Sequence, residues 1–251
     1  MDCFIILFLA ILGFSITSFF ILVGMRAPQK RSVYGRSQCD SCYVNIAWYA
    51  LIPVFGWFLT RGRCAHCGTP VSIRYPIYET LGGLIYALGF VLLQDNLLEF
   101  AVYAVFISMM ITVSVSDIQS MIVPDKVLLA FFPLIFALRM ISPLTTWYDA
   151  IIGGIAAFAF MLLLAYYGKR RFKQDALGGG DIKLYGVIGV FLGWQLVFLS
   201  LFFASLLGII IGKLVLSKMN PLPFVPFIFG GVLLAYFFGA DLLAWYGSLF
   251  T

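Results

Sequence analysis

The chain has 251 residues, 63% of them hydrophobic and only 11% charged, with a formal net charge of +5 at pH 7; its mean hydropathy is +1.03. A soluble domain carries about 25% charged residues, so this composition excludes one and indicates a protein that crosses a membrane several times. Strand-like alternation is absent, which leaves helices as the means of satisfying backbone hydrogen bonds in hydrocarbon.

The first apolar segment covers 3–25. A secretory signal peptide has a shorter apolar stretch followed by a small-residue cleavage site, so residues 1–25 read instead as a retained transmembrane helix. Cys3, inside it, reads as ordinary helix packing.

Residues 26–75 are the one sizeable polar segment and contain Cys39-Asp40-Ser41-Cys42 and Cys64-Ala65-His66-Cys67. Two CxxC knuckles separated by 21 residues match a tetrahedral zinc site built from Cys39, Cys42, Cys64 and Cys67. The competing reading, one or two disulfides, requires an oxidising compartment. Four thiolates leave no position open for water, so such a zinc is structural, and His66 reads as an exposed bystander. A loop this short buries little core, and metal binding would contribute most of its folding.

Residues 76–251 hold seven more apolar segments, at 76–94, 97–117, 123–142, 148–168, 181–194, 195–216 and 223–247. The run 181–216 would be about 54 Å long as one helix, too long for a single crossing, and is expected to break at Gly193-Trp194-Gln195. The expected fold is therefore an all-α integral membrane protein of about eight transmembrane helices. Residues 1–25 form the first, 26–75 a small cytoplasmic zinc-binding loop domain, and 76–251 a seven-helix core.

With eight crossings, segments 26–75, 117–126, 169–183 and 213–222 share one side and hold every Lys and Arg except Arg139. The positive-inside rule makes that side cytoplasmic and both termini extracytoplasmic. The +5 net charge is thus a topology signal and no footprint for nucleic acid, although basic loops also lie on anionic lipid headgroups.

Two acids stand out where apolar segments meet basic loops. Asp117 ends the third segment, facing the negative end of its own helix dipole, an unfavourable place that invites a functional explanation; the alternative is a hydrated boundary residue. Asp181 follows Gly178-Gly179-Gly180. Asp is at home as an N-cap, but three glycines exceed what a cap needs: they strip side chains from the backbone beside the acid and allow unusual backbone angles. An extended peptide could then lie against the carboxylate. Two carboxylates within about 3 Å can share one proton, one acting as base toward a water and the other as acid toward a carbonyl oxygen.

Asp125, after Pro124, reads as a helix-start residue or a supporting one. Lys183 either tunes the acid pair or snorkels to the interface. Glu79 reads as a substrate contact or a helix N-terminal charge. No acid falls at the middle of a predicted span, which argues against a proton-coupled transporter.

The paired knuckles followed by SIRYPIYE (72–79), with SDIQSMIVPD (116–125), GGGDIKLYGVIGVFLGW (178–194) and LPFVPFIFGG (222–231), resemble the type IV prepilin leader peptidases, GxGD membrane aspartic proteases that in many members are also N-methyltransferases. The likeness runs over nearly the whole chain and is greatest to the competence-associated peptidases of Gram-positive bacteria. It implies removal of a short cytoplasmic leader from prepilin or pseudopilin precursors, with Asp117 and Asp181 at the catalytic positions and Gly178 and Gly180 in the motif around the second. It also implies S-adenosylmethionine as methyl donor where the new N-terminus is methylated. The chain departs from the family in FILVGMRAP (20–28) and in Val225, where many members carry Gly, and it shows no separate methyl-donor signature. The rival reading is a non-enzymatic membrane scaffold that docks assembly partners through the zinc loop; another is a GxGD protease that cuts within transmembrane helices.

Overall fold

The computed structural model describes residues 3–142, 146–173, 177–214 and 222–249. Among them the chain forms α1 (Cys3–Arg26), α2 (Phe55–Leu59), α3 (Arg74–Leu93), α4 (Leu97–Ser120), α5 (Asp125–Ile141), α6 (Trp147–Phe172), α7 (Gly179–Leu192), α8 (Trp194–Leu214) and α9 (Val225–Ser248), plus a 3-10 turn at Trp48–Leu51. Extended pairing among the described residues is limited to two isolated bridges, Gln38 with Asn45 and Arg63 with Pro70. Lys218, counted among the basic residues of the topology, lies outside the described residues, as do the side chains of Cys3 and Lys213.

Among the described residues six helices are long and apolar enough to cross a membrane: α1, α3, α4, α6, α8 and α9. This makes the chain a multi-pass membrane protein. The other two expected crossings, α5 with 17 residues and α7 with 14, extend about 26 and 21 Å, short of the roughly 30 Å hydrocarbon core. The expected break in the 181–216 run is present: α7 ends at Leu192 and Gly193 takes φ +80, a left-handed turn that a glycine enters without a steric penalty. Asp149 on α6 then accepts a hydrogen bond from the first N–H of α8, at Trp194 (3.3 Å).

The chain divides into two compact units, Met1–Thr112 and Val113–Thr251. In the first, α1 packs on α3. Gly82 and Gly83 meet Thr17 and the Phe14 ring so closely that a Cβ would clash, the close approach that small residues permit between membrane helices. Polar tips are matched inside this unit: the Tyr86 and Ser108 hydroxyls lie 2.6 Å apart, and the Tyr103 hydroxyl donates to the Ile85 carbonyl at 3.0 Å.

In the second unit α7 packs against α5, α6, α8 and α9. Its Leu184, Tyr185 and all of Val187–Leu192 are buried, so this short helix is surrounded by protein, which suits a length that cannot span a bilayer unaided. The α6–α7 seam is backbone on backbone, with Gly153 and Gly154 facing Gly189. Gly189→Ala puts a methyl into the Gly153 carbonyl and is expected to cost about 1–3 kcal/mol, read as a lower thermal unfolding midpoint in detergent. Gly247→Ala, with nothing within 4 Å of the added carbon, should leave that midpoint unchanged or slightly raised.

Candidate active site and metal centre

Asp117 lies in the last turn of α4, which closes at Ser120. The chain leaves that helix through Met121 at φ +54, with the Ser116 hydroxyl donating to the Ile122 carbonyl at 2.6 Å. The Asp117 side chain is buried, and its Oδ2 accepts the backbone N–H of Val225 at 2.9 Å. Val225 is the first residue of α9 and is followed by Pro226. The carboxylate at the negative end of its own helix therefore sits on the positive end of another, whose unpaired N–H groups are natural partners for an anion.

Asp181 lies in the first turn of α7, with its N–H bonded to the Gly178 carbonyl at 3.1 Å. The glycines before it do not adopt unusual backbone angles: Gly178 has φ −69 and ψ 137, and the positive-φ glycines of the described chain lie elsewhere. Their contribution is space. A Cβ on Gly178 would stand 3.3 Å from Asp181 Oδ2, one on Gly180 would stand 2.6 Å from the Val123 Cβ, and one on Gly179 would meet nothing within 4 Å. Gly180 thus lets α7 seat against the segment that follows α4, and Gly178 leaves the carboxylate uncovered. Asp117 and Asp181 thus flank the short segment 121–124, which leaves α4 after Asp117 and meets Gly180 beside Asp181.

Beside Asp181 runs an open, mainly apolar groove of about 1030 Å³. Ala159, Leu162, Leu163 and Tyr166 line it from α6, and Leu177, Gly178, Gly179 and Ile182 from the α7 side, with Lys169 at one end. The α6 residues recur at three- and four-residue spacing, so a single helix face forms that wall.

Asp125 and Lys183 pair with each other: the Lys183 Nζ donates to both Asp125 carboxylate oxygens at 2.8 Å. The bond joins the start of α5 to the second turn of α7 and is exposed, at 67% for Asp125 and 53% for Lys183. The partner seen for Lys183 is thus Asp125. The Val225 N–H and the Val123 contact were missed by sequence reasoning; the one available signal was Pro226, which marks a helix start and hence free N–H groups.

In the first unit the Sγ atoms of Cys39, Cys42, Cys64 and Cys67 all lie within 4.8 Å of one another. The thiols are unpaired by disulfide. The knuckles have the same backbone pattern: Cys39 N–H to Val44 and Tyr43 N–H to Cys39 in one, Cys64 N–H to Thr69 and Gly68 N–H to Cys64 in the other. The left-handed position falls on Tyr43 in the first and Gly68 in the second. A tetrahedron with Zn–S bonds of about 2.3 Å has edges of about 3.8 Å, and the Cys39 and Cys67 sulfurs are 3.8 Å apart. The Thr69 side chain, then its backbone N–H, hold the Cys67 thiol down to about 6, while Cys42 of the same cluster is pushed up to about 11. The set is compatible with structural zinc, and His66 is exposed outside it.

Glu79, the sixth residue of α3, is half-buried. Its Oε2 accepts the Val54 N–H at 2.7 Å, fastening the polar loop to α3.

Residues 11–93 match the family model described as the bacterial peptidase A24 N-terminal domain, and residues 104–213 that of the type IV leader peptidase family. A Bacillus subtilis prepilin leader peptidase/N-methyltransferase is 35% identical over 244 residues, covering 95% of this chain and 96% of the relative. The like-named protein of Myxococcus xanthus is 34% identical, with 83% of this chain and 62% of the relative covered; that of Aeromonas hydrophila is 29% identical, with 89% and 78% covered. No solved structure matches with significance. The chain belongs to the type IV leader peptidase family, whose members are membrane aspartic proteases.

Because the Asp125–Lys183 pair is exposed, Asp125→Asn and Lys183→Met should each lower unfolding free energy by less than about 1 kcal/mol. Gly180→Ala, pressed against Val123, is expected to cost more than either in the same denaturation series, and Gly179→Ala to cost little.

Proposed function

We propose that the chain is a membrane-embedded aspartic endopeptidase that removes the leader of type IV prepilin-like precursors, with Asp117 and Asp181 as its catalytic pair. The observation that carries this reading is the seating of the buried Asp117 carboxylate on the N-terminus of α9, with Asp181 opening α7 where Gly180 presses on the segment that leaves α4. One carboxylate takes a proton from water as the water oxygen adds to the scissile carbonyl carbon. The other, protonated, gives its proton to the carbonyl oxygen; collapse of the adduct with protonation of the amide nitrogen then breaks the C–N bond. The glycines keep the backbone beside Asp181 bare, which lets an extended scissile segment approach. The apolar groove alongside offers the substrate's hydrophobic helix a place to lie.

The names of the relatives extend the reading to N-methylation of the new N-terminus with S-adenosylmethionine. The same reading takes pseudopilins of a competence system as substrates and zinc as the ion held by the four cysteines. Eight crossings, with α5 and α7 completing the six long helices, leave both termini outside. The basic loops 26–75, 117–126, 169–183 and 213–222 then lie on the cytoplasmic side, in accord with the positive-inside rule.

Asp117→Asn and Asp181→Asn are each expected to abolish leader removal from a purified precursor while expression and membrane insertion persist; mass spectrometry of the product, with and without S-adenosylmethionine, reads cleavage and methylation separately. Retained cleavage in either variant would remove that residue from the pair. Metal analysis should give about one zinc per chain, since two knuckles make one four-thiolate site, and Cys39→Ser with Cys42→Ser should lose it.

A further inference from the structure

The polar loop of the first unit carries a run of apolar side chains that the metal site does not use. Trp48, Leu51, Ile52, Phe55, Phe58 and Leu59 are all exposed, and they recur at three- and four-residue spacing through the 3-10 turn and α2, which pack on each other. By contrast Trp57 turns inward, donating its indole N–H to the Val71 carbonyl at 3.0 Å and covering Gly62. Exposed Arg61, Arg63 and Arg74 flank the run.

The depth of this segment is set by one hydrogen bond. Val54 has φ 64 and ψ −58, and the Phe55 N–H bonds the Pro53 carbonyl at 2.6 Å. This is the strained, positive-φ γ-turn, rare for any residue and costlier still for a β-branched one. It turns the Val54 N–H outward to Glu79. Glu79 is five residues into α3, a helix that starts at Arg74 and has 20 residues, so it lies about 7 Å along the axis of a helix just long enough to cross the hydrocarbon core. A loop tied at that depth brings its aromatic residues level with the headgroups, where Trp and Phe beside arginines are stable.

We propose that residues 48–59 are a monotopic membrane anchor: the loop lies on the bilayer, its apolar face sunk into the leaflet from which α3 enters, with Arg61, Arg63 and Arg74 taking acidic phospholipid headgroups. Glu79 is the positioning residue that holds it there. This surface is independent of the carboxylate pair and stands whether or not the proposed peptidase reading does.

The full chain, reconstituted in nanodiscs of phosphatidylcholine and phosphatidylglycerol, tests it. An environment-sensitive fluorescent amino acid replaces Phe58 in one preparation and Tyr34, which is 92% exposed, in another. Nitroxide carried on lipid near the headgroup should quench position 58 several-fold more than aqueous iodide does, and position 34 the reverse. Iodide reaching 58 as readily as 34 would overturn the anchor, and so would protection of 58 from both quenchers, which would mean it packs on protein. With phosphatidylcholine alone, lipid quenching at 58 should fall; an unchanged value refutes the acidic-lipid component. Glu79→Ala should raise iodide access at 58, while Glu79→Gln, which keeps an acceptor for Val54, should restore protection. No change in Glu79→Ala would remove Glu79 from the positioning role, and the wild-type comparison of 58 with 34 holds even should that variant fold poorly.

Discussion

A carboxylate buried among membrane helices must find its hydrogen-bond donors within the protein, because hydrocarbon offers none and an unmatched buried polar group costs several kcal/mol. Asp117 meets that demand with the first N–H of α9. The bond explains why α9 begins where it does: Pro226 at its second position leaves the preceding N–H free, and a helix start that would otherwise need water or a cap is satisfied by an acid from a distant segment. The acid and the helix end each supply what the other lacks.

Bringing Asp181 to the same region depends on close backbone approach. α7 is short and enclosed, and glycines on α6 and α7 let the two backbones meet where any side chain would separate them. Gly180 does the same against Val123. The motif Gly178-Gly179-Gly180 therefore acts through the volume it omits, and its backbone angles are ordinary. The exposed Asp125–Lys183 pair adds a second link between α5 and α7, weak as a source of stability but suited to fixing the orientation of the turn that carries Asp181.

The cysteine loop solves a different problem. It is too short to bury a core, so it is held at two points, by four converging thiols and by the Glu79 bond to a strained turn. Both fastenings are polar, and both lie within the unit that α1 and α3 build. A positive-φ valine persists only where its surroundings over-determine it, and the Glu79 carboxylate, carried by α3, supplies that constraint.

Composition alone determined that this is a helical membrane protein, since 63% apolar residues admit no other globular solution. Spacing alone located the four-cysteine cluster and the break at Gly193, because knuckle geometry and helix length are local properties. The motifs carried the family, and with it the expectation for Asp117 and Asp181. What the sequence did not reveal depends on partners far apart along the chain: the Val225 N–H for Asp117, the Asp125 partner of Lys183, and Val54 as the use of Glu79. Among the described residues six of the expected crossings are long enough to span alone, because an apolar run does not fix where its helix starts and stops, and α5 and α7 end short. Local chemistry is written residue by residue, whereas the partner of a buried charge is chosen only when the helices pack.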